Sequence, residues 1–114
     1  MNELRKSPRK IANEVLEVTD QITGSRMGKV VNISVEGLML LGHEMIRTGT
    51  VYQLDLKLPR LIKNHSTISF GAESVWCQPA AQPESYWTGF RVIDISEEGM
   101  LAIDDLIFDW HVLD

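Results

Sequence analysis

The sequence predicts a mainly β protein, a six-stranded antiparallel barrel carrying one C-terminal α-helix. Three observations point there. Short apolar runs separated by Gly, Pro, Asn and Asp recur from residue 11 to residue 95. Tyr52, Leu54, Leu56 and Leu58 alternate with Gln53, Asp55 and Lys57, the period-2 sign of a half-buried strand. Met100, Ile103, Leu106, Ile107 and Trp110 then recur at helical spacing. Many short strands and a single helix fit a small barrel with the helix packed on it.

Taken in order, residues 1–10 read as a flexible basic arm, in which Pro8 lacks a donor and biases Ser7 towards extended geometry. Ile11–Thr19 reads as the first strand, and Asp20–Ser25 as a polar turn. Met27–Ser34 and Leu38–Leu41 are the next strands, joined through Val35-Glu36-Gly37. Gly42–Gly49 is a connection, Val51–Leu58 the clearest strand, and Pro59–His65 a loop. Thr67–Cys77 and Tyr86–Ile95 are two longer strands linked by Gln78–Ser85, which holds Pro79 and Pro83. Ser96 can cap a helix at about residues 96–112, with Glu97 and Glu98 complementing its positive end. The barrel and helix thus occupy residues 11–114. The helix stripe through Trp110 reads as core packing. Trp76 and Trp87 read as packing residues too, with Trp87 the more exposed of the two beside its Pro-bordered loop.

Bulk properties narrow the function. A chain of 114 residues makes one domain and needs no disulfide or metal staple. No apolar run approaches the length that crosses a bilayer, and no apolar stretch follows the N-terminal charges as in a signal peptide. The single cysteine, Cys77, has no internal partner and fits a reducing cytoplasm. A net charge of −5 argues against a nucleic acid polymer as partner. Its distribution is uneven. Arg5, Lys6, Arg9 and Lys10 face one acid, Glu3, in residues 1–10, whereas residues 94–114 hold seven acids and no Lys or Arg. A basic arm on an acidic body suits a compact dianion better than a long polyanion.

Catalytic and metal sets are not visible in the sequence. His43, His65 and His111 lie far apart, without ligand spacing. Glu97-Glu98 and Asp104-Asp105 are adjacent, so their side chains diverge around a helix as a solvated face. Gly-rich phosphate loops are missing. An enzyme is therefore not expected.

Two short motifs remain. Arg5 and Arg9 stand four apart in the arm, and Asn32, Ser34 and Gly37 lie between two apolar runs. Arginine presents a fork of donors that grips phosphate bidentately and matches O6 and N7 of guanine. Asn32 and Ser34, two apart, share one face of a strand. Gly37 admits backbone or ligand without a Cβ.

This pair, RxxxR followed by D/NxSxxG, resembles the PilZ domain, a bacterial receptor for cyclic di-GMP. Ala72–Trp76 and Gly89–Val92 look like the later strands of that family. The resemblance implies a barrel with a C-terminal helix and a receptor without enzymatic activity or cofactor, whose ligand is cyclic di-GMP. It implies that Arg5 and Arg9 clamp phosphate and a guanine edge, that Asn32 and Ser34 hold the guanine, and that Gly37 keeps the backbone open. It further implies arm closure on binding and signalling through an unidentified downstream protein. Leu4 stands where relatives that bind two stacked nucleotides carry arginine, which implies one nucleotide per site. Asn32 stands where many members carry Asp. A PilZ-like interaction module in motility or pilus assembly that ignores nucleotide is the alternative.

Overall fold

Leu54, Leu56 and Leu58 point inward and are almost wholly buried, while Lys57 between the last two faces solvent. That alternation sets the wall of a closed barrel in the computed structural model, which describes residues 7–113. The strands are β1 (Lys10–Ile11), β2 (Glu17–Asp20), β3 (Arg26–Ser34), β4 (Gly37–Gly42), β5 (Val51–Ile62), β6 (His65–Pro79) and β7 (Tyr86–Ile95), followed by α1 (Glu97–Ile107). The order around the sheet is β3-β2-β5-β6-β7-β4, and β4 pairs back onto β3. Every pairing is antiparallel, and the closure leaves these six strands without a free edge in the wall. The predicted six-stranded barrel with one C-terminal helix is therefore observed.

Leu16, Val18, Val30, Ile33, Leu38, Leu40, Ile68, Phe70 and Phe90 fill the interior with the β5 leucines. Tyr52 meets Phe90 edge to face, with ring centroids 6.0 Å apart. The helix begins where Ser96 Oγ accepts from Gly99 N at 3.0 Å, and Glu97 and Glu98 occupy its first turn. Ala102, Ile103, Leu106 and Ile107 are its buried stripe, and Trp110 beyond its end is only 5% exposed.

Four expectations need correction. The segment from Ile11 to Thr19 is not one strand. Ala12 donates to Val31 O and Leu16 O accepts from Val30 N, so Asn13, Glu14 and Val15 loop out while β3 advances by a single residue. Pro59–His65 is not a loop. Strand β5 runs on to Ile62, and a two-residue turn at Lys63 (φ 49°) and Asn64 (φ 67°) leads directly into β6. Two consecutive left-handed residues match the right-handed twist of a hairpin, and Pro59 is accommodated where the β5–β6 register shifts. The helix ends at Ile107, short of residue 112. Finally, Trp76, not Trp87, is the more exposed indole, because a register shift between Ser74 and Trp76 turns it to the outer surface over Gly89.

Candidate functional site

Strand β1 builds the site. Lys10 and Ile11 pair with Ile33 and Asn32, continuing beside β3 where β2 stops. This pairing carries Arg9 onto the outer face of the β3–β4 hairpin. Ile33 and Leu38 point inward and are nearly inaccessible, so Asn32, Ser34 and Gly37 face outward, beneath the arm.

Arg9 Nη1 donates to Asn32 Oδ1 at 3.0 Å, bridging the two motifs. A Cβ at Gly37 would stand 2.6 Å from Arg9 Nη2 and 2.7 Å from the Phe90 carbonyl oxygen. Glycine is thus the residue that lets the guanidinium come this close to the hairpin backbone. Asn32 Nδ2 donates to Met39 Sδ at 3.5 Å, a weak bond that orients the carboxamide with its oxygen towards Arg9. Ser34 Oγ accepts from Glu36 N at 3.2 Å and so shapes the turn between β3 and β4. Asn32 is 4% and Ser34 1% exposed, so both lie covered. Of the five residues singled out from the sequence, Arg9, Asn32, Ser34 and Gly37 come together. Arg5 lies outside the described residues, as does Leu4.

The arm is anchored on its second side as well. Ile11 N donates to His111 O at 2.8 Å and Leu113 N to Arg9 O at 2.8 Å. Lys10 forms an isolated bridge with Val112. Lys10 Nζ donates to the Ile107 and Phe108 carbonyls, at 3.2 and 3.1 Å. Those carbonyls end α1, whose last turn holds no basic residue of its own, so Lys10 supplies the cation that the helix's negative end favours. Residues 9–11 therefore lie between β3 and the tail that follows the helix. Lys10 falls in a strand, across the boundary drawn from the sequence between arm and barrel.

Beside the arm lies an open cleft of about 710 Å³. Arg9, Val35 and Glu36 form one side, and residues of β7 with Met100 of α1 the other. Arg91 of β7 also lines it, a residue the sequence reading passed over. Its signal was its place two residues after Gly89, which became informative only with the β4–β7 register. Among the described residues no group of three or more His, Cys, Asp or Glu could hold a metal ion. No helix among them is long and apolar enough to cross a membrane.

A closed six-stranded barrel whose N-terminal strand lays an arginine over its first long hairpin defines a class of small domain. The chain belongs to the PilZ domain family, which its sequence matches over residues 3–109. No curated protein matches it. Among solved structures it is similar to the Bacillus subtilis inhibitor of motility MotI/DgrA, with a TM-score of 0.72 and 20% identity, covering 94% of this chain and 51% of that one. It thus spans about half the length of that protein. The PilZ domain of YcgR from Escherichia coli, solved with c-di-GMP, gives a TM-score of 0.69 at 14% identity, covering 95% of this chain and 92% of that one. The K. pneumonia MrkH–c-di-GMP complex gives 0.67 at 14%, covering 95% and 52%. At these identities the likeness is one of fold.

Proposed function

We propose that this chain is a cyclic di-GMP receptor that acts by binding, without turnover, and signals through a partner protein. One observation carries the reading: Arg9 and Asn32, one from each motif, meet in a 3.0 Å hydrogen bond above Gly37. The family and the ligand named for the YcgR and MrkH complexes support it.

In this reading the Arg9 guanidinium exchanges partners. Without nucleotide it caps Asn32; with nucleotide it turns to a phosphate or to the O6/N7 edge of guanine, acceptors that its fork fits bidentately. The exchange uncovers the Asn32 carboxamide and the Ser34 hydroxyl for the base. A neutral carboxamide gives up an arginine more readily than a carboxylate would, since no charge-assisted pair is broken. Asn32 in place of Asp therefore lowers the barrier to this swap, while also offering guanine a weaker acceptor. Arg5, which precedes the docked segment, completes the clamp. The closed arm and ligand form a new outer surface for the partner. The ligand lies on the barrel's outside, so binding need not open the core.

Isothermal titration of the full chain with cyclic di-GMP, with GTP and cyclic di-AMP as controls, tests the reading. Saturable binding of cyclic di-GMP alone, with one nucleotide per chain, is expected. No heat and no thermal shift would leave the protein-interaction module as the better account.

A further inference from the structure

The cleft beside the arm is flanked by two guanidiniums. Arg91 stands directly opposite Gly37 in the β4–β7 ladder. The next pair along, Leu38 and Phe90, points inward at 0% and 1% exposure. Side chains alternate along a strand, so Gly37 and Arg91 share the outer face. The Arg9 guanidinium already lies over that glycine. Arg9 and Arg91 therefore approach one bare stretch of backbone from neighbouring strands, and both line the same cleft.

Arg91 is poised rather than packed. Its side chain is 63% exposed and is held across the β6–β7 ladder by Glu73, through Nη2 alone. An ion pair this exposed contributes little to stability. What it fixes is direction, and the guanidinium's other N–H donors remain available to a second acceptor. The rest of the lining says where that acceptor sits. Glu36 and Asp94 are exposed in the lining and repel phosphate, so the two arginines are the groups that favour an anion there. Val75 and Ile93 are about half exposed and offer apolar surface that a purine face would cover.

We propose that Arg91 is a further ligand-binding residue, gripping a phosphate of the bound cyclic dinucleotide from the side opposite Arg9, with Glu73 holding it in position. The proposal rests on the receptor reading above and adds to it a contact outside the two motifs.

Titration of the full chain with cyclic di-GMP, comparing the parent with Arg91→Gln, Arg91→Lys and Glu73→Gln, tests it. Arg91→Gln should weaken binding at least tenfold while the thermal midpoint holds, because the side chain lies outside the core. Arg91→Lys should recover only part of the loss, since a point charge replaces a fork. Glu73→Gln keeps an acceptor for Arg91 but not its charge, so it should weaken binding, though by less than Arg91→Gln does. If the parent binds and Arg91→Gln binds equally well, the Arg91 assignment is wrong and the receptor reading stands. If the parent does not bind, both are wrong.

Discussion

Gly37 is where the two motifs become one object. A methyl group there would press on the movable end of Arg9, at 2.6 Å, and on the fixed Phe90 carbonyl oxygen, at 2.7 Å. The side chain can swing away, but the backbone of β7 cannot. Gly37→Ala should therefore destabilise the barrel by about 1–3 kcal/mol, as overpacking does, read as a lower urea midpoint. It should also weaken cyclic di-GMP binding by displacing the guanidinium from the hairpin. Gly89 has the same logic on the outer wall, where the Trp76 indole occupies the space a Cβ would need. That Arg9, Asn32 and Gly37 belong together was legible in the sequence, because a guanidinium, a carboxamide and a glycine have few uses in combination. That Ser34 is covered and bonds the Glu36 amide was legible only as a possibility of its chemistry. Arg91 was not legible, since its nearness to Arg9 depends on a strand register that no local pattern encodes.

Among the elements, β1 is the smallest and has the most distant partners. Its two residues pair with β3 on one side and with the tail at residues 111–113 on the other. Lys10 closes the end of α1 from 97 residues away. Replacing it, as Lys10→Met, removes a cation from the helix's negative end and leaves two carbonyls without that donor. A loss of about 0.5–1.5 kcal/mol is expected. Hydrogen exchange should show faster exchange at the Ile11 and Leu113 amides before the barrel strands respond. The β5–β6 turn makes an independent prediction. Lys63 and Asn64 both sit at positive φ, where a lysine is strained. The double change Lys63→Asn with Asn64→Gly gives the turn its preferred residues and should raise stability by about 1 kcal/mol, measured by thermal unfolding. Strand β7 was legible to the residue, from Tyr86 to Ile95, because apolar and aromatic positions fill it between clear breakers. The first strand was not. Three looped-out residues preserve an apolar rhythm from Ile11 to Thr19 while breaking its pairing. Pro59 misled for the opposite reason: it reads as a breaker, yet here it lies within a strand, at a register shift.

For the molecule as a whole, charge decides what the site can hold. The chain carries −5 overall, yet Arg9 and Arg91 both line the cleft. A dianion small enough to stay near those arginines gains attraction there, whereas a long polyanion would meet the acidic body. Attraction of this kind is screened by salt. Raising ionic strength from ~0.1 M to ~1 M shortens the screening length from about 10 Å to about 3 Å. Affinity for cyclic di-GMP should fall several-fold over that range, and fall less in Arg91→Gln, which titrations at the two salt concentrations would compare. The fold class emerged from the sequence because barrel closure needs only alternation and turns, and both are local. The coupling of arm, helix end and tail did not, because it is made of backbone hydrogen bonds between the two ends of the chain.

Whether Arg9 leaves Asn32 for a nucleotide decides the function proposed for this site. Parallel calorimetric titrations of the parent and Arg9→Ala with cyclic di-GMP test this most directly. The parent should bind, and the variant should lose about 2–4 kcal/mol, roughly 30- to 1,000-fold in affinity. Equal affinity of the two proteins, or no binding by the parent, would contradict it.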